Sequence, residues 1–552
     1  MKMKNRFVCW LVLLTVALWT LGSAGAEGII RINGELAPKT REEALRMVQE
    51  AAEAYFSDPE MEAELRGEIT EETVRHPSFP EQQIRLLTLT HDGHTMRGLI
   101  EVRGEPDADG RYPLYLALHG GGEDEPEGND GEWYAMYDYY RENVQNGIYI
   151  AVRGISNTWD LHFQPESYPL YDRLIQSMIY LYHADPNRVY LMGFSAGGDG
   201  VYQITPRMAD RFAAANMSSG HPNGVQLINL MNVGFSIQVG IRDYYTEEAM
   251  RCVRAAEFDQ TLADLHSLYD YGYEHQVLVH VPDAHNYDDY TDASQLTGEY
   301  EYAQEQVMHE VLANPTAYAD PAITGDMLNR FVQAFKESTG SDSVMEMSYY
   351  SAGFNEKLDE ACWEVVRDFG LETKKVNTSA VWYVNQFTRN PVPAYLNWDL
   401  STRAPSRKIT SFYWLKADPS VNQGLIFAIQ EEDNGLVVDP RDVNGDFSIL
   451  VNPAMLDVSK PIRILTGAGT FEVMVNPSEE TLRESIRETG DPNLAWVAEI
   501  SYERLISGGY GQGGAQPGAE GESAPQPEDG DDDAAGPEQQ NPEELTDEIG
   551  DG

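Results

Sequence analysis

Ser195 stands in Gly193-Phe194-Ser195-Ala196-Gly197, directly after the apolar run Val189-Tyr190-Leu191-Met192. A serine at the apex of a tight strand-to-helix turn holds its hydroxyl out at the end of a sheet, within reach of a base and a substrate carbonyl. The flanking glycines let strand and helix close around the strained backbone. The chemistry such a serine performs is acyl transfer. It requires a general base, a group that orients the base, and N–H donors for the developing oxyanion. His285, in Asp283-Ala284-His285-Asn286, follows the apolar run Gln276 to Val281 and is the candidate base. His280 falls inside that run and is expected to face into packing, while His221 comes too early in the chain and reads as a pocket residue. Asp243 follows the run Phe235 to Ile241 and is the candidate orienting carboxylate, with Asp283 as its competitor. The oxyanion donors are expected to be the N–H of Ala196 and one from the loop His119-Gly120-Gly121-Gly122, with Gly120 and Gly121 put forward. Spacing alone does not choose among the three glycines. His119, Trp159, His162 and His221 are weaker candidates for pocket walls, since such residues are often simply packed.

These residues need a scaffold that ends several strands at one edge. From Ile84 the pattern is a hairpin (Ile84 to Thr90, Thr95 to Val102), then short apolar runs alternating with helical stretches. The runs are Tyr112 to Leu118, Gly147 to Val152, Val189 to Phe194, Arg211 to Met217, Phe235 to Ile241 and Gln276 to Val281. Leu170 to His183, Gly197 to Met208, Glu247 to Tyr271 and Tyr300 to Leu312 read as helices. Continuous apolar strands between helices predict a mostly parallel sheet covered on both faces. Residues 27–83 read as a polar helical lead-in, and residues 84–340 as the catalytic domain. Residues 341–506 turn β-rich, with strands expected at Val376 to Tyr383, Ile409 to Leu415, Leu425 to Gln430, Phe447 to Val451, Ile462 to Leu465, Thr470 to Val475 and Ala495 to Tyr502. A sandwich-like domain with a helix over Ser478 to Thr489 is the expectation there. Residues 507–552 hold 13 acids, no Lys or Arg and almost no apolar side chains, and are expected to be disordered.

The chain has 552 residues, 42% of them hydrophobic, enough for a large core. Residues 1–26 carry a basic start (Lys2, Lys4, Arg6), an apolar run from Val8 to Leu21 and Ala24-Gly25-Ala26, the marks of a secretory signal peptide. The expectation is an exported protein without a membrane span. Cys252 and Cys362 remain after processing; neither lies in a CxxC or Cys/His cluster, and whether they pair stays open. No metal site and no cofactor are implied. A formal charge of −51, from 90 acidic and 39 basic residues, opposes nucleic-acid binding and anionic membrane surfaces.

With Asp185-Pro186-Asn187-Arg188-Val189-Tyr190 leading into Gly193-Phe194-Ser195-Ala196-Gly197-Gly198, the chain resembles the α/β-hydrolases near the polyhydroxybutyrate depolymerase, feruloyl esterase and prolyl-oligopeptidase-like families. His119 to Gly122, Asp243 and His285-Asn286 fit the same pattern, and the resemblance covers about residues 84 to 335. It implies the α/β-hydrolase fold and a Ser-His-Asp triad acting on a small or polymeric ester through an acyl-enzyme. Prolyl-oligopeptidase-like peptidase activity is the alternative, lowered by the lack of an N-terminal propeller stretch. A binding protein on an inactive hydrolase core is the other.

Overall fold

Six apolar runs form the parallel middle of an 11-stranded sheet. The computed structural model describes residues 28–32, 40–122, 125–240, 243, 251–281, 285–287, 289, 301–304, 373–374 and 377–510. In chain order the strands are β1 (Ile30–Ile32), β2 (Ile69–Arg75), β3 (Gln83–His91), β4 (His94–Arg103), β5 (Tyr112–Leu118), β6 (Gly147–Arg153), β7 (Ala184–Phe194), β8 (Ala214–Ser218), β9 (Gly234–Gly240), β10 (His275–Val281), β11 (Glu301–Gln304) and β12 (Thr373–Lys374). The sheet runs β12-β11-β10-β9-β8-β7-β5-β6-β4-β3-β2. Pairing is parallel from β6 through β10 and antiparallel at both flanks. The swap of β5 and β6 inside the sheet, with an antiparallel hairpin leading in, is the connectivity of the α/β-hydrolases.

Alternation along the strands makes two separate cores. Leu114, Leu116 and Leu118 face one side, where they join Leu170, Leu174 and Met178 of the helix Ser167–Leu181. Tyr115 and Ala117 face the other, against Trp133, Met136 and Tyr137 of the helix Pro126–Tyr139. Each fully buried aliphatic side chain contributes about 1.5–3 kcal/mol by leaving water. The second face is completed from far along the chain by Val381 and Val384 of the short helix Ala380–Val384.

The rest of the chain forms β13 (Tyr395–Asp399), β14 (Ser411–Phe412), β15 (Leu415–Ala417), β16 (Leu425–Glu431), β17 (Gly435–Arg441), β18 (Phe447–Val451), β19 (Ile462–Thr466), β20 (Gly469–Val475) and β21 (Ala498–Ser501). They make a six-stranded sheet, β1-β20-β19-β17-β16-β13, and a four-stranded one, β14-β15-β18-β21. The two sheets meet where Trp398 of β13 stacks on Phe412 of β14, ring centroids 5.4 Å apart. Their buried residues belong to the same apolar cluster as Leu116 and Ile150 of the large sheet.

Several segments differ from the sequence-based expectation. Ile69–Arg75, expected to be helical, is the edge strand of the large sheet; most of its residues are polar and exposed on both faces, so no alternation marks it. Ile30–Ile32 adds a strand to β20 instead of belonging to a helical lead-in. Glu301–Gln304, expected to open a helix, pairs antiparallel with β10. Ala380–Val384, expected in a strand, is a helix because the Ser379 side chain caps it at Trp382 N–H. The expected signal peptide, Asp283, Cys362 and the acidic tail beyond residue 510 lie outside the described residues. Among the described residues no helix is long and apolar enough to cross a membrane.

Candidate active site

The parallel strands end at one edge, and the chain turns there into the residues of interest. After Phe194 the backbone passes through Ser195 at φ 56°, ψ −122° and enters the helix Ala196–Ile204. That positive φ is costly for a side-chain-bearing residue and is fixed by close backbone contacts around it. A Cβ on Gly193 would lie 2.2 Å from Gly197 O, and one on Gly197 would lie 2.0 Å from Leu118 O. Only glycine permits those approaches. Ser195 N–H donates to Ser218 O at 2.9 Å, tying the turn to the end of β8.

Ser195 Oγ lies 2.9 Å from His285 Nε2, and His285 Nδ1 lies 2.9 Å from Asp243 Oδ2. The three side chains thus form one hydrogen-bonded chain across the ends of β7, β9 and β10. Asp243 is buried, and burial alone would raise its carboxyl pKa. The adjacent His285 ring and the Arg251 guanidinium, 3.3 Å from Oδ1, outweigh that and hold it below the ordinary carboxylate range. Asp243 is therefore an anion facing His285 Nδ1, an arrangement that can orient the ring with Nε2 toward the Ser195 hydroxyl. The ring of Phe194 lies 5.5 Å from that of His285 and covers one side of it.

The glycine loop after β5 lies directly against Ser195. A Cβ on Gly120 would be 3.2 Å from Ser195 Cβ. His119, expected from the sequence to be a pocket wall, is instead fully buried behind this loop and holds it. Gly154 N–H donates to His119 Nε2 at 3.1 Å, so the ring proton sits on Nδ1 and donates to Gly120 O at 2.6 Å. His162 Nε2–H donates to His119 O at 2.9 Å, which makes it another support rather than a wall. Burial pushes the His162 pKa down to about 3 and His119 well below its usual value, so both rings stay neutral. Gly121 and Gly122 adopt φ of 97° and 91°, and Gly122 N–H is taken by Asn129 Oδ1 at 2.8 Å.

The remaining wall candidates separate. Trp159 is 48% exposed beside the glycine loop and packs edge-on against Phe163. His221 is half-buried; its N–H donates to Asp199 Oδ1 at 2.6 Å, and its ring bonds Asn223. His280 faces into packing, stacked on Tyr287 with centroids 3.7 Å apart. Sequence reasoning missed Arg251, Asn129 and Ser219. The first two carry no motif signal; Ser219 had one, a small polar residue directly after a strand that ends at the site. Among the described residues no group of three or more His, Cys, Asp or Glu side chains is placed to hold a metal ion.

No family model and no curated protein matches the chain. Solved structures similar to parts of it include a thermostable esterase, at 19% identity and TM-score 0.26 over 39% of this chain and 55% of that one. A ferulic acid esterase matches at 14% identity and TM-score 0.24, over 40% and 91%. The acetyl xylan esterase from Aspergillus awamori matches at 15% identity and TM-score 0.24, over 34% and 81%. The chain thus spans about half the length of the first of these. Likeness at this level carries no argument about activity; the fold assignment rests on the strand order and connectivity above.

Proposed function

We propose that this chain is an exported serine hydrolase that cleaves carboxylic esters through an acyl-enzyme. The observation that carries the proposal is the continuous Ser195–His285–Asp243 hydrogen-bonded chain at the carboxyl edge of the sheet. Ser195 Oγ attacks the ester carbonyl while His285 Nε2 takes its proton. The imidazolium is stabilised by Asp243 and then protonates the departing alkoxide. Water, deprotonated by the same nitrogen, releases the acid and restores Ser195.

The tetrahedral oxyanion needs donors fixed in advance. Ala196 N–H, at the first turn of its helix, is one. Gly122 is excluded because its N–H is already donated to Asn129. Gly121 is the second donor for a geometric reason. His119 Nδ1–H holds Gly120 O on the protein side, and in a planar trans peptide the next N–H points the opposite way. The neutral His119–His162 pair thereby sets the direction of the donor that stabilises the transition state.

The preference for esters over amides, and export itself, rest on the sequence resemblance and on residues 1–26. Aryl esters of graded acyl length assayed beside short peptide amides test the substrate class. Ester turnover well above amide turnover is expected; the reverse order overturns it. Export is tested by expression of the full chain with its N-terminus: processed protein outside the cytoplasm is expected, and unprocessed cytoplasmic protein contradicts it.

A further inference from the structure

We infer that Ser219 is a positioning residue that sets the distance between the nucleophile and the base; the inference rests on the triad reading above. Ser219 is fully buried and held at φ 49°, a conformation that serine adopts at a cost. Its hydroxyl donates to the main-chain O of His285 at 2.9 Å. The residue before it, Ser218, accepts the N–H of Ser195 at 2.9 Å. Two adjacent residues at the end of β8 therefore grip the backbone of both reacting groups, the serine through a carbonyl and the histidine through a hydroxyl.

A grip of this kind positions only if its own base is stiff. Ser219 N–H donates to Gln238 O at 2.9 Å, and the same carbonyl accepts the hydroxyl of Tyr287, two residues beyond the histidine, at 2.8 Å. Ser218 Oγ receives Asn216 Nδ2–H at 2.9 Å and Tyr140 O–H at 3.3 Å. Gln238 Nε2–H donates to Asn216 Oδ1 and to Thr378 O, and Gln238 Oε1 meets His280 Nε2. These buried groups lock the ends of β8, β9 and β10 into one frame. The main-chain O of His285, four residues beyond the end of β10, is tied to that frame by the Ser219 hydroxyl. Ser219 combines this positive φ with a hydroxyl bonded to the main chain of the histidine. A serine buried only to satisfy its own hydroxyl would need neither the strain nor this partner.

Ser219→Ala and Ser219→Gly test the role together. Both remove the hydroxyl, but glycine accepts φ 49° without strain and folds even where the alanine variant does not. Misplacing a catalytic group by a fraction of an ångström to an ångström slows the chemical step by about ten- to a hundredfold. Both variants are expected to lose about that much in kcat for an aryl ester, with KM unchanged and near-UV circular dichroism of the native form. The low-field proton resonance of His285 Nδ1–H should shift or broaden in both. Wild-type kcat with an unmoved resonance in Ser219→Gly overturns the inference, whatever happens to its unfolding temperature. Ser195→Ala, run in parallel, separates this from the underlying reading. If Ser195→Ala is inactive while Ser219→Gly is fully active, only the positioning role falls. If Ser195→Ala is active, the triad reading falls and this role falls with it.

Discussion

At the scale of single residues, the state of Asp243 decides how the site behaves. Its carboxylate lies below the ordinary range because His285 and Arg251 outweigh the penalty of burial. Asp243→Asn keeps the shape but presents the wrong partner to His285 Nδ1, and a loss of about 10⁴-fold in kcat is expected from steady-state assays of an aryl ester. The same residue contributes to acid sensitivity. Its folded pKa is below its unfolded value of about 3.9, so its stabilising contribution is complete above that value and is lost as pH falls through the folded value. The difference in unfolding temperature between wild type and Asp243→Asn should therefore be largest near neutrality and shrink below about pH 4. The three residues of the Ser195–His285–Asp243 hydrogen-bonded chain were legible as a group because each follows an apolar run, and short loops after parallel strands end at one edge. Arg251 was not legible: it opens a helix, and nothing in its neighbours marks it as facing Asp243. The wall role expected for His119 failed because a histidine followed by three glycines reads the same whether the ring faces substrate or the protein interior.

At the scale of elements, the elbow and the glycine loop are fitted to each other with no room to spare. A Cβ on Gly197 would lie 2.0 Å from Leu118 O and 2.9 Å from His119 O, both backbone atoms that cannot swing aside. Gly197→Ala is expected to destabilise by about 3 kcal/mol, read as a lower denaturant midpoint with an unchanged slope. The loop's histidine supports make a second prediction. His162 has its pKa pushed down to about 3, so it must be neutral in the folded protein while the unfolded chain protonates it near pH 6.5. Its contribution is complete above about 6.5 and declines as pH falls from there toward the folded value. Thermal unfolding of wild type should lose stability across that window, and His162→Asn, which has no ring to protonate, should show a shallower slope. Elements whose pattern was continuous, such as β5, β6 and the Val189–Phe194 part of β7, were readable because buried parallel strands are largely apolar. The edge strand Ile69–Arg75 and the helix Ala380–Val384 were not. The first exposes polar side chains on both faces, and the second is five residues long, too short for a helical period to show.

At the scale of the whole molecule, residues from beyond 340 help to cover the large sheet. Val381 and Val384 cover the face that carries Tyr115 and Tyr190, and Tyr190 O–H donates to Phe387 O at 2.9 Å. Arg389 then pins the C-terminal half in place. It is buried, donates to Asp210 O at 2.6 Å and to Asn187 Oδ1 at 2.8 Å, and pairs with Asp491. Removing one partner of a buried ion pair leaves the other charge uncompensated, so Arg389→Ala is expected to cost about 3–5 kcal/mol in equilibrium unfolding. None of this was visible in the sequence, because an arginine after a short helix has no pattern that names partners more than a hundred residues away. The β-rich character of residues beyond 395 was visible; its sharing of one apolar cluster with the hydrolase sheet was not.

The central claim is that Ser195 is the nucleophile of an acyl-transfer site. The most direct measurement is labelling with a fluorophosphonate followed by peptide mapping, on wild type and Ser195→Ala. One equivalent of label on Ser195 with concurrent loss of ester turnover is expected, and neither labelling nor turnover in the variant. Label on another residue, or ester turnover by Ser195→Ala equal to that of wild type, contradicts it.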